Sequence, residues 1–479
     1  MRVLFLQDSA INESLALTEV SAVLRAAGHS TLLLLSDEEP ALDARILEWA
    51  PGLCILPCHI TGHAVALAFA RRVKALLPGC VVAMGGTHVT FDPSLALDPA
   101  VDVTCVGEAE GAFRDLADAL ARGDGWEGIP NLHYARGGVL VSNPVRPLID
   151  DLDTLPFPDR ALYYRYPFIA RFPWKKFNTS RGCVHSCTFC WNTPLRAMYE
   201  GKGTFTRRKS PARAVAEVAE VAARYPLGTV HFSDDLFTVY PSWLEEFAER
   251  YRRDVGVPFT CSSSNELMTP RVARALQRAG CRGVAIGIET GNEDLRSRIL
   301  KKRVSNDDVR AAASLVHAHG MELTAFCMVA NPGETLDDAF STIDLLREIR
   351  ADHVRCNIAV PLPHTEFETS SIAAGLLDAD YERHRVDTMK IPKPAFRTED
   401  ATAFANLFYL FRPAVHFPRL DPLVRRLVHL PTPQVLDFLR MYIPWEEKQI
   451  YHIGWVDGLR FFSHVGDPHK RTANYVTLI

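Results

Sequence analysis

The spacing of hydrophobic and polar positions changes along the chain, and the changes divide it into regions. Through the first 145 residues, short apolar runs alternate with stretches whose apolar positions recur at helical spacing. Val3–Leu6, Thr31–Leu35, Leu53–Leu56, Val81–Met84 and Asp102–Val106 read as buried strands. Leu15–Ala27, ended by Gly28, and Ala64–Leu77 read as helices between them. This alternation predicts an α/β fold: an N-terminal doubly wound, Rossmann-like sheet over residues 1–145. Ligands on such sheets bind beyond the carboxyl ends of the strands. Residues 146–175 are expected to be a linker, because Asn143 to Arg160 is proline-rich and without period.

Alternation then resumes. Lys176–Thr179, Thr229–Ser233, Phe259–Ser263, Gly283–Ile288, Glu322–Val329 and His353–Val360 read as strands with helices between them. Ser210-Pro211 supplies an N-cap and a first-turn proline, and Val215, Val218 and Ala222 continue at helical spacing. The pattern predicts a partial barrel, (βα)6, over 176–370. From 371 to 479 the texture predicts a mostly helical C-terminal domain. Phe404–Arg412 and Met441–Trp445 are aromatic-rich there; ordinary helical core is the favoured reading, and a lid that keeps water from a reactive site is the functional one.

Composition narrows the function classes. Hydrophobic residues are 47% and charged residues 23% of 479, with a net charge of −4. That is ordinary globular chemistry and suggests neither a nucleic-acid coat nor a polybasic membrane arm. No apolar run approaches the ~20 residues of a transmembrane helix. Eleven cysteines spread over so long a chain do not make a secreted disulfide scaffold, so a cytoplasmic location is expected.

The most informative stretch is Arg181-Gly182-Cys183-Val184-His185-Ser186-Cys187-Thr188-Phe189-Cys190-Trp191-Asn192. Three thiolates on one tight loop can hold three irons of a 4Fe–4S cluster and leave the fourth open. A structural zinc site is the plainer alternative, but it wants four closed ligands. His185 could serve as the fourth only by straining a short loop.

Cysteines at this spacing, with an aromatic residue before the last, resemble the radical S-adenosylmethionine (SAM) superfamily. Further segments resemble it in order: His231–Thr238, Gly287-Ile288-Glu289-Thr290-Gly291 and Asn331-Pro332-Gly333-Glu334-Thr335. The resemblance implies Cys183, Cys187 and Cys190 as cluster ligands and an open iron that takes the amino and carboxylate groups of SAM. It implies Asp234, Asp235 and Glu289 as strand-end carboxylates for the SAM ammonium or ribose. Ser263 and Asn265 are further candidates for the ribose, and Trp191 and Asn192 for the adenine side.

The N-terminal sheet lacks a GxGxxG turn, so a dinucleotide is not expected. Its segments Val81-Val82-Ala83-Met84-Gly85-Gly86-Thr87-His88 and Asp102-Val103-Thr104-Cys105-Val106-Gly107-Glu108 resemble the cobalamin-binding domain that precedes the barrel in one radical SAM class. Gly85, Gly86, Thr87, Gly107 and Glu108 are the implied cobalamin contacts. Many cobalamin domains carry Asp-x-His-x-x-Gly, whose histidine ligates cobalt. Here the first loop reads Asp8-Ser9-Ala10-Ile11-Asn12-Glu13, which implies a lower cobalt face without a histidine ligand.

The resemblance therefore implies a cobalamin-dependent radical SAM enzyme. Its expected reaction is methylation of an unactivated carbon or phosphorus of a small metabolite, through a 5′-deoxyadenosyl radical and methylcobalamin. A flavodoxin or ferredoxin is the expected electron donor. An oxidative cyclase or rearrangement enzyme without methyl transfer is the second reading, and a non-catalytic cobalamin or metal sensor the third. No acid–base residue is singled out, and no nucleic-acid partner is expected.

Overall fold

A computed structural model describes residues 1–9, 13–59, 62–378 and 394–431. The Met441–Trp445 stretch and the rest of the expected C-terminal domain beyond residue 431 lie outside the described residues.

The first sheet has seven strands. They are β1 (Arg2–Gln7), β2 (Ser30–Leu35), β3 (Leu53–Pro57), β4 (Val81–Gly85), β5 (Val103–Cys105), β6 (Leu132–Arg136) and β7 (Val139–Ser142). Their order is β2-β1-β3-β4-β5-β6-β7. The first five are parallel, and β6 and β7 add an antiparallel hairpin at the edge. Strands of a sheet covered on both faces read as near-continuous apolar runs. Alternate residues nevertheless sort to two cores: Val3, Phe5 and Ile55 enter one, and Leu4, Leu6 and Leu56 the other. The strand order reverses between β1 and β3, which creates a crevice at their carboxyl ends.

The second sheet has six parallel strands: β8 (Trp174–Phe177), β11 (Thr229–Phe232), β12 (Phe259–Ser263), β13 (Cys281–Glu289), β14 (Glu322–Val329) and β15 (His353–Ile358). They run in the order β15-β14-β13-β12-β11-β8 and stay open, a half-barrel. Between them in the chain, β9 (Ser180–Arg181) and β10 (Arg207–Arg208) form a two-stranded ribbon. The first barrel strand thus stops two residues earlier than the pattern predicts, and Ser180 turns off into that ribbon. The Pro211–Arg224 helix starts as the sequence indicates: Ser210 Oγ accepts from Arg213 N, with proline in the first turn. Val221 takes the buried position on that helix, and Ala222 is exposed.

The proline-rich segment does not hang between the domains. Arg160 bonds Glu13 at 2.5 Å and the Lys176 carbonyl at 2.6 Å, Tyr163 Oη donates to Gln7, and Tyr166 Oη receives Leu35 N. One apolar core runs from the first sheet through Tyr163 and Tyr166 into the half-barrel.

The Ala401–His416 helix presents Phe404, Leu407 and Phe411, each fully buried, to the barrel's outer core. Arg412 Nε donates to the Val354 carbonyl and Arg347 to that of Ala414. These aromatics brace the barrel; they form no lid.

Candidate active site between the two sheets

The carboxyl ends of both parallel sheets open on one cavity of about 670 Å³, the size of a cofactor pocket. Gly85, Gly86, Thr87, Gly107 and Glu108 line it from the first sheet, and Cys190, Trp191, Asn192 and Asp235 from the barrel side. Cys183, Cys187, Asp234, Ser263, Asn265 and Glu289 are not on that wall and belong to the barrel mouth behind it.

The cysteine loop is held from several sides. Arg196 binds the carbonyls of Cys183 and His185 and donates to Ser186 Oγ. Thr193 Oγ1 donates to the Cys187 carbonyl, and Thr188 is tied to Ile299 and Leu300. All three thiols are half-buried. Two receive N–H groups: His185 N reaches Cys183 Sγ at 3.4 Å, and Asn192 Nδ2 reaches Cys190 Sγ at 3.7 Å. Burial pushes the Cys187 thiol up to about 12 and raises Cys183 and Cys190. Such thiols stay protonated until a metal displaces the proton. His185 is engaged elsewhere, its Nε2 3.3 Å from Ser264 Oγ and 3.2 Å from Glu266. Among the described residues, no group of three or more His, Cys, Asp or Glu converges as ligands of a single ion would. Three soft sulfur ligands, two of them receiving N–H donors, fit an iron–sulfur cluster.

Asp234 departs from the expected role. Its carboxylate is buried and receives Thr179 N at 3.1 Å, Thr179 Oγ1 at 2.8 Å and Ser180 Oγ. It ties the end of β8 to β11 and has little capacity left for a ligand. Asp235 faces the cavity; burial raises its pKa, and a hydrogen bond from Asn192 opposes that rise.

Glu289 ends β13 with φ +66°, a strained backbone for a residue with a side chain. Lys302 Nζ lies 2.8 Å from its carboxylate and 2.7 Å from the Gly287 carbonyl. A Cβ on Gly287 would stand 2.1 Å from Glu289 Oε1 and 2.5 Å from Lys302 Nζ, so a side chain there would push the pair out of its present position. Ser263 Oγ is 2.7 Å from Thr238 Oγ1. Asn265 donates to the Gly287 carbonyl, while its Oδ1 is buried and has no partner. An orphaned amide oxygen at a strand end fits a hydroxyl donor such as a ribose.

On the first-sheet side, Gly86 has φ +127°, and a Cβ there would lie 2.7 Å from the Cys58 carbonyl oxygen. Side-chain-free backbone at β4 and β5 leaves an apolar cradle into which a flat ring can settle. Glu108 contributes wall rather than a free carboxylate: it bonds Arg181, Arg207 and Ile149 N. Burial alone would raise its pKa, but the two guanidinium groups hold it below the ordinary value. Arg181 also takes Glu19 and Glu110, so this network clamps the cysteine loop's entry to the first sheet. Trp191 stacks on Phe91 at 5.5 Å across the same boundary, and Tyr199 Oη receives Glu108 N at 2.8 Å.

Sequence reasoning did not single out Lys302, Arg181, Tyr199 or Phe91. Their roles depend on which strand ends meet, and only Lys302 is near its partner in sequence.

Comparison with known proteins supports both halves. Residues 177–346 match the Radical SAM superfamily and residues 1–117 the B12 binding domain. An uncharacterized methyltransferase of Pyrococcus horikoshii is 31% identical over 320 residues, 65% of this chain and 67% of that protein. The cytidylyl-2-hydroxyethylphosphonate methyltransferase of Streptomyces wedmorensis is 24% identical over 66% of this chain and 65% of its own. The cobalamin-dependent SAM radical enzyme OxsB shares the fold, with a TM-score of 0.71 at 14% identity, over 97% of this chain and 75% of its own. A cubane-type thiolate loop and a side-chain-free cradle facing one cavity, in a chain that matches both domain families, place this protein among the cobalamin-dependent radical SAM enzymes, with a 4Fe–4S cluster, SAM and cobalamin as its cofactors.

Proposed function

We propose that this enzyme methylates an unactivated carbon or phosphorus of a small metabolite. The observation that carries the reading is the single cavity walled by the cysteine loop on one side and the first sheet's carboxyl edge on the other. When bound, the cofactors supply a radical from cluster-activated SAM and a transferable methyl group at cobalt. Cys183, Cys187 and Cys190 would hold the cluster. Asn265 Oδ1, Glu289 and Asp235 would hold SAM, Glu289 being held in place by Lys302. Gly85, Gly86, Thr87 and Gly107 would receive cobalamin, with Glu108 buttressing that wall.

The chain's own contribution is positioning and exclusion. Trp191 on Phe91 and the Arg181–Glu108–Arg207 network fix the distance between the two walls. A largely apolar lining keeps water from a reactive intermediate. Of the three proteins compared above, the two matched by sequence are methyltransferases by name, which favours methyl transfer over cyclisation. Their names do not define a substrate for this chain. A reduced flavodoxin or ferredoxin would deliver electrons, and the reaction would sit in the cytoplasm. Among the described residues no helix is long and apolar enough to cross a membrane.

The test is anaerobic reconstitution followed by SAM and a reductant. The proposal expects about four irons per chain, with 5′-deoxyadenosine and S-adenosylhomocysteine both formed in the presence of a metabolite extract. Deoxyadenosine alone would leave a radical enzyme that does not methylate.

A further inference from the structure

The first loop of the first sheet holds no histidine, yet the crevice at the strand-order reversal has one nearby. That crevice lies between the carboxyl ends of β1 and β3. His59 stands two residues past the end of β3 and lines the cavity. The residue is exposed and lies against the cavity. Desolvation beside the cavity wall, with the Lys176 ammonium adding to it, holds the imidazole below its ordinary pKa and therefore neutral. No hydrogen bond to the ring is made among the described residues. The carboxylates on the same wall are already engaged: Glu19 and Glu110 with Arg181, and Glu108 with Arg181 and Arg207. No other histidine lines this cavity among the described residues. A neutral imidazole without partners is a strong nitrogen donor to a transition metal.

We propose that His59 is the axial ligand that the protein offers to the cobalt of cobalamin from the first-sheet side. The loop after β3 thereby supplies what the loop after β1 does not, and the expectation of a lower face without histidine is replaced. The assignment rests on cobalamin binding in this cavity.

The test uses the full-length, anaerobically reconstituted protein loaded with cob(II)alamin, with cobalt content measured beside the spectra. Electron paramagnetic resonance of protein made with ¹⁴N-histidine should show each cobalt line split into a triplet by one axial nitrogen. Protein made with ¹⁵N-histidine should show doublets, which separates a protein ligand from the cofactor's own benzimidazole. The splitting should persist in His63→Ala and vanish in His59→Ala and His59→Gln while cobalt remains bound. A triplet indifferent to the label, no splitting at all, or a doublet that survives His59→Gln would each overturn the assignment while leaving cobalamin binding intact. A reconstituted protein that retains no cobalt would overturn cobalamin binding itself, and this assignment with it.

Discussion

Replacing Gly86 with alanine tests the cradle most sharply. Gly86 sits at φ +127° and ψ −176°, a region that a residue with a Cβ reaches only at a cost of order 1–3 kcal/mol. The added Cβ would also lie 2.7 Å from the Cys58 carbonyl oxygen, a backbone atom that cannot swing away. Cys58 N donates to the Gly85 carbonyl at 2.7 Å, and its own carbonyl receives His88 N at 3.1 Å. Parting the strands weakens one or both of these bonds, at about 1 kcal/mol each. The sum is about 2–5 kcal/mol. Much of it falls on the strand ends that receive cobalamin, so the Kd should rise at least about 30-fold. Equilibrium dialysis with hydroxocobalamin reads the affinity, iron analysis checks that the cluster site survives, and Gly137→Ala controls for a positive-φ position with open space around it. A Gly86→Ala protein that binds cobalamin within about threefold of wild type, at an unchanged Tm, would refute the reasoning.

Other substitutions test other parts of the account. Lys302→Met leaves the Glu289 carboxylate buried without its cation and should cost about 3 kcal/mol or more in urea denaturation, with most of the loss recovered in Lys302→Met/Glu289→Gln; a loss under about 1 kcal/mol would mean the pair is not structurally coupled. Burial raises Glu334 to about 7. The unfolded chain ionises first, so the stability due to this group is complete below about pH 4.5 and is lost as pH rises to about 7, by on the order of 3 kcal/mol. Glu334→Gln should flatten that slope in urea midpoints taken at pH 5 and pH 7.5, and an unchanged slope would contradict the assignment. Phe404→Ala should cost about 3–5 kcal/mol if the Ala401–His416 helix is core; loss of activity at unchanged stability would restore the lid.

Much of this was legible in the sequence because local patterns carried it. Parallel strands buried on both faces are short apolar runs, and Ser210-Pro211 marks a helix start. The cysteine spacing is a local loop property, so the cluster site could be read before any fold was known. The β6–β7 hairpin was passed over although Gly137-Gly138, both at positive φ, is a strong two-residue turn signal. Its strands are short and half exposed, so they lack the buried run used to find the others. Asp234 and Asp235 look alike in sequence. One turns inward to Thr179 and Ser180 and the other faces the cavity, a choice made by the ribbon that Ser180 enters. The linker's anchoring was hidden for a similar reason: Arg160, Tyr163 and Tyr166 find their partners 127 to 156 residues away in sequence or across the barrel's first strand. Long-range partners of this kind leave no periodic trace.

Methyl transfer is the central claim, and its most direct measurement is anaerobic turnover with SAM labelled on its methyl group. The reconstituted enzyme, a chemical reductant and the small-molecule fraction of a cell extract would be analysed together by mass spectrometry. The account predicts a metabolite that gains the labelled methyl group, with S-adenosylhomocysteine and 5′-deoxyadenosine formed alongside it, and none of the three from Cys183→Ala/Cys187→Ala/Cys190→Ala protein apart from any S-adenosylhomocysteine formed on cobalamin alone. Deoxyadenosine formed without S-adenosylhomocysteine, and with no metabolite carrying the label, would contradict it.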